Sequence, residues 1–156
     1  MDWNVITGLA EVLGALAVII SLAYLAFQIR QNTRSIEGAT EQSLMSAEMS
    51  LYGLLAEHAS VYRRGCINIA DLTPDEVTQF EQLVLAVMSQ LYGAYVQYKR
   101  KLIPISVWNA YTNDWNEYVS LAGFQDAWSN LQSSYPKEFN LCLDKVEKAN
   151  VIIEEV

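Results

Sequence analysis

The sequence predicts an all-α fold: an N-terminal transmembrane helix followed by an antiparallel helical hairpin and shorter C-terminal helices, together a helical bundle. Three observations predict it. Residues 5–27, VITGLAEVLGALAVIISLAYLAF, carry a single charge, Glu11. At about 1.5 Å of rise per residue such a run reaches roughly 34 Å, enough to cross a bilayer core of about 30 Å. Beyond it, apolar residues recur three and four apart, the helical period. No run alternates with period two for long enough to make a strand.

A chain of 156 residues divides into an anchor, residues 1–30, and one helical domain, residues 31–156, large enough for its own core. The formal net charge is −8, and the domain is acidic, which argues against a surface for nucleic-acid phosphates. Cys66 and Cys142 fit neither a metal-ligand spacing nor a disulfide-dense scaffold, so they read as free thiols. No Lys or Arg precedes the apolar run, and its one A-x-A, Ala15-Leu16-Ala17, lies inside it, so it reads as a retained anchor rather than a cleaved signal. Only Asp2 precedes the span, whereas Arg30 and Arg34 follow it closely. By the positive-inside bias the amino terminus is expected outside and the domain in the cytoplasm, where reduced cysteines are at home.

Within the span, Thr7, Ala10, Gly14, Ala17, Ser21, Tyr24 and Gln28 recur at alternating steps of three and four and so share a face. Bulky residues such as Leu13, Ile19, Ile20 and Leu22 cover the rest. Small residues let helix backbones approach, and Ala10-xxx-Gly14 and Ala17-xxx-Ser21 have the spacing that close packing favours. The face is expected to meet transmembrane helices of a membrane complex or of further copies; the alternative is that Gly and Ala simply fill an inserted helix. Glu11 is an intramembrane acid, a site by default. It reads either as an interfacial carboxylate near the start of the span or as a carboxylate in a helix seam.

After a polar stretch, a helix is expected over about residues 36–64, continuous with the anchor except for a bend at Gly38. Leu44, Leu51, Leu55 and Tyr62 lie on its apolar stripe, and Arg63-Arg64-Gly65 reads as a stop. A short loop leads to Thr73-Pro74-Asp75-Glu76, a capping box with Pro at the first helical position. The helix that starts there runs to about Lys101, burying Phe80, Val84, Val87, Leu91, Ala94, Tyr95 and Tyr98. Two helices of similar length joined by a short loop should run antiparallel. That geometry returns Lys99, Arg100 and Lys101 toward Arg30 and Arg34, where the five cations would meet anionic lipid headgroups; the triplet also suits a helix C-terminus. Pro104 breaks the chain. Residues 105–122 resume as a helix with Trp108, Tyr111, Trp115 and Tyr118 on one face, Gly123 interrupts, residues 124–131 form a short helix, and residues 137–149 the last.

Neither catalytic residues nor a metal or cofactor site emerges. His58 is the single histidine, no phosphate-binding glycine loop is present, and Asp71, Asp75 and Glu76 surround a helix start where carboxylates suit the dipole. The chain does not read as an enzyme. The concentration of Tyr and Trp from Tyr92 to Trp128 reads as core, with some rings at a headgroup level or partner surface.

Four segments carry a resemblance across most of the chain: AVIISLAYLAFQIRQNTRS, LTPDEVTQFEQLV, YGAYVQYKRKLIPISVWNAY and GFQDAWSNLQSSYPKEF. In this order they resemble a group of bacterial single-pass membrane proteins with a cytoplasmic all-helical domain, to which no activity is assigned. Here Lys101 stands where that group usually has Gly, and Ala127-Trp128 replaces a Trp pair. The resemblance implies an architecture and a bacterial inner-membrane setting rather than a chemistry. The expected role is a non-enzymatic accessory or assembly subunit, with the lipid bilayer and neighbouring transmembrane helices as partners. Two alternatives are a self-assembling pore or membrane-stress effector lined by Glu11 and Ser21, and a sensor of lipid or apolar ligands held between the aromatic helices.

Overall fold

A computed structural model describes residues 3–154, with side chains described at positions 3, 7–9 and 11–146. All its regular elements are helices, and no strand occurs among the described residues. In chain order they are α1 (Trp3–Glu57), α2 (Ala59–Ile67), α3 (Pro74–Lys99), α4 (Ile105–Val119), α5 (Ala122–Leu131) and α6 (Lys137–Glu154), with 3₁₀ turns at Ile69–Asp71 and Gln132–Ser134. The chain forms two compact units, Met1–Ala39 and Thr40–Val156.

The described residues of the first unit are helix alone. No Pro interrupts residues 3–57, and the backbone stays helical through the polar stretch after Phe27 and through Gly38, where the sequence suggests a bend. One window of this helix is long and apolar enough to cross a membrane, with a mean hydropathy of 2.3, and none of that window is buried.

The second unit holds the core. The helix expected to run unbroken to about residue 64 is interrupted at His58 (φ −109°, ψ 24°) and restarts as α2, which continues to Ile67. Gly65 is therefore not the stop that the sequence suggests; it lies inside α2 and is buried. A Cβ there would sit 2.4 Å from the Phe80 ring, so the position demands Gly for space rather than for a turn. The chain leaves α2 at Asn68, whose side chain accepts from Ala70 N at 3.1 Å.

The start of α3 is the capping box that the sequence predicts: Thr73 N donates to Glu76 Oε2 at 3.0 Å and Glu76 N to Thr73 Oγ1 at 3.4 Å. Arg64 reaches across from α2 to the same Glu76 carboxylate. Hydrogen bonds and charge from Arg64, together with those from Thr73, hold that carboxyl down at about 2. Two further bonds tie α3 to the preceding helices within this unit, from Gln79 to His58 at the break between α1 and α2, at 2.8 Å, and from Gln90 Nε2 to Leu44 O of α1, at 3.2 Å. The later α3 residue meets the residue earlier in the chain.

The end of α3 closes on a side-chain-bearing residue. Leu102 N donates to Gln97 O at 3.0 Å and Lys101 N to Tyr98 O at 2.9 Å, the paired bonds of a Schellman turn. Lys101 sits at φ 60°, a conformation that glycine adopts without a Cβ penalty.

Aromatic rings from α3 to α6 fill the interior. Phe80, Trp115, Phe124 and Phe139 are almost wholly buried. Tyr98 stacks on Trp108 with centroids 5.6 Å apart, and Trp115 meets Trp128 edge-on at 5.8 Å. Of the Tyr and Trp read as core, Tyr95, Trp108, Trp115 and Trp128 are buried, while Tyr92, Tyr98, Tyr111 and Tyr118 are half-buried. Ala127 is fully buried beside Trp128.

Candidate functional site

The surface of α1 in the first unit is the most unusual feature of the chain. Leu13, Ile20 and Phe27 are 62%, 67% and 65% exposed, and apolar side chains emerge around the whole helix rather than along one stripe. A soluble helix hides its apolar residues on one face; a helix that is apolar all round belongs where the surroundings are apolar too. Several of its polar side chains are satisfied within the helix. Ser21 Oγ donates to Ala17 O at 2.8 Å, Thr7 Oγ1 to Trp3 O at 3.1 Å, and Gln28 Nε2 to the Tyr24 hydroxyl at 2.7 Å. That is the arrangement a hydrocarbon environment demands of hydroxyls and amides.

Gly14, Ala17, Ser21, Tyr24 and Gln28 are all exposed along this helix, and a Cβ on Gly14 would meet nothing within 4 Å. The absent side chain at Gly14 is thus not required by any neighbour in this chain. The side chain of Ala10, part of the same stripe, lies outside the described residues, as do those of residues 151–153. Glu11 is exposed, and no Lys or Arg occurs before Arg30 to pair with it along the helix.

Arg30 and Arg34 are exposed one turn apart on α1, and Lys99, Arg100 and Lys101 are exposed at the end of α3 in the second unit. Cys66 is buried and Cys142 half-buried, both as free thiols. Burial pushes the Cys66 thiol up. Among the described residues no cluster of three or more His, Cys, Asp or Glu is placed to hold a metal ion.

Sequence reasoning missed a groove between the α1 and α4 segments of the second unit, lined by Glu41, Glu48 and Asp114 together with apolar side chains such as Leu44 and Val107. Glu41 and Glu48 are seven residues apart and so share a helix face, which was visible in the sequence. Asp114 joins them only through tertiary packing. No family model, curated protein or solved structure matches the chain. What the fold defines is an all-helical protein with one N-terminal helix long and apolar enough to cross a membrane.

Proposed function

We propose that this chain is a non-enzymatic, single-pass protein of a bacterial inner membrane, akin to the bacterial group its motifs resemble. Its amino terminus lies outside and its helical domain in the cytoplasm, and it serves as an accessory or assembly subunit. The observation that carries the reading is the all-round apolar exposure of residues 12–27, which leaves a large surface that water penalises at about 25 cal/mol per Å². Lipid removes that penalty along the bulky sides. Along Gly14, Ala17, Ser21, Tyr24 and Gln28, the stripe that also includes Ala10, another transmembrane helix can approach to backbone distance. Arg30 and Arg34, with Lys99, Arg100 and Lys101, supply the cations for anionic headgroups on the cytoplasmic side.

Purification of the full chain from membranes in a mild detergent tests this role. A stoichiometric membrane partner, or a defined oligomer of the chain itself, is the expected result. A clean monomer with nothing bound contradicts it.

A further inference from the structure

Within the unit Thr40–Val156, α1 carries two apolar faces, and the domain core uses one of them. Leu44, Leu51 and Leu55 pack against that core. Met45, Met49 and Tyr52 point outward, 66%, 69% and 47% exposed. A helix that serves a single domain needs one apolar stripe, so the second face is left over. Its residues lie at steps of four and three, and Ala56 follows four further on. That spacing is the repeat of a two-stranded helical seam.

The sequence carries this seam in the register of the stripe in the first unit. From Thr7 the alternating steps of three and four run through Gln28 and positions 31, 35, 38 and 42 into Met45, and on to Ala56 without a slip. An unbroken seven-residue repeat is what two helices wound around one another require. Every position of it with a described side chain is exposed. No Asp, Glu, Lys or Arg occupies the repeat, although Glu11, Arg30, Arg34, Glu37, Glu41 and Glu48 all lie between its members. Just beyond the span, Gln28, Gln31, Asn32 and Ser35 outline a recess on the helix. Four residues so placed form the hole into which a facing helix sets one knob.

The chemistry of the repeat identifies the partner. A two-fold pair of parallel helices sets each seam residue against its own copy, so a self-pairing seam excludes charges and admits only polar groups that both donate and accept. Thr, Ser, Tyr and Gln are the polar residues of this repeat, and each does both. A partner of different sequence imposes no such restriction. The flanks fix the direction: Arg34, Glu41 and Glu48 lie on one side of the seam, Ala39, Ser46 and Gly53 on the other. In a parallel pair each flank meets the opposite flank of the other copy, so Glu41 and Glu48 face Ser46 and Gly53. An antiparallel pair sets like flanks together, with Glu41 and Glu48 repelling one another.

We propose that the partner on this face is a second copy of the chain, two α1 helices pairing in parallel and in register. Met45, Met49, Tyr52 and Ala56 form the apolar end of the seam, and Gln28, Gln31 and Gln42 form amide layers that hold the register. The inference rests on the membrane reading for the span and names the partner of its helix face; the domain half of the seam, from Met45 to Ala56, stands on its own exposure.

Cysteine cross-linking of the full chain by mild oxidation in its native membranes tests the pairing. Met45→Cys, Met49→Cys and Tyr52→Cys should each give a disulfide-linked dimer about fivefold or more above the wild type, because only seam positions come within disulfide reach of their own copies. Ala47→Cys and Ser50→Cys, exposed but off the seam, should stay at the wild-type level. In nonionic detergent the wild type should be a dimer, and Met49→Glu should weaken it about tenfold or more with helix content unchanged. Met49→Glu and Met49→Lys chains should pair again when produced together, which separates a lost interface from a lost fold. Equal cross-linking on and off the seam, a wild-type monomer, or a Met49→Glu dimer as tight as the wild type would overturn the proposal. A different protein copurifying on this face, and lost in Met49→Glu, would overturn it while leaving the membrane role standing. Release of the wild type by alkaline carbonate with its cross-links intact would support the pairing and overturn the membrane role alone.

Discussion

A Cβ placed on Gly123 would lie 1.8 Å from the carbonyl oxygen of Gly65, so α2 and α5 meet backbone against backbone. The contact has no room for a methyl group, and neither helix can retreat without uncovering Phe124 and Cys66, both buried. Gly123→Ala should therefore cost about 3 kcal/mol, roughly 10 °C in melting midpoint. Gly65→Ala, whose Cβ meets the Phe80 ring instead, should be similarly damaging, whereas Gly93→Ala, which meets nothing within 4 Å, should be tolerated or stabilising. Thermal melts of the three variants in the same detergent check the order.

Lys101 closes α3 at φ 60°, paying a steric cost that Gly would not. Lys101→Gly should raise stability by about 0.5 kcal/mol, since relief of the left-handed strain outweighs the added freedom of the unfolded chain. A fall in the urea midpoint would show that the Lys side chain contributes more than the strain removes.

Glu76 links the α3 cap to Arg64 and has its carboxyl held at about 2, below its ordinary value of 4.5. A depressed folded value means that protonation favours the unfolded chain. The contribution is fully present above about pH 4.5 and is lost as pH falls through about 2. Glu76→Gln keeps a capping side chain but cannot titrate, so it should flatten the acid limb of stability over this window. Urea midpoints at successive pH values give the comparison; an identical acid limb in the variant would contradict the coupling.

The two thiols should differ in reactivity. Both are pushed up by burial, but Lys145 and Lys99 pull Cys142 back down, whereas Cys66 is almost wholly covered. Timed alkylation under native conditions should label Cys142 first and Cys66 only on unfolding.

Much of this architecture was legible from local signals. The capping box at Thr73 and Glu76 and the apolar stripe from Phe80 to Tyr95 depend on residues close in sequence, and both appear where the pattern puts them. The break at His58 was not legible, because no Pro or Gly marks it. Gly65 was misread because a glycine after two arginines resembles a helix stop, while its actual constraint comes from Gly123 and Phe80, distant in sequence. Asp114 was passed over for the same reason: its relation to Glu48 exists only after α1 and α4 have packed.

The most direct measurement of where the molecule resides is extraction of membranes from cells producing the full chain. Residues 12–27 expose apolar side chains on all sides, so the protein should stay with the membrane through strongly alkaline carbonate and urea and leave only with detergent. Release into the aqueous fraction by carbonate alone would contradict a helix held in hydrocarbon.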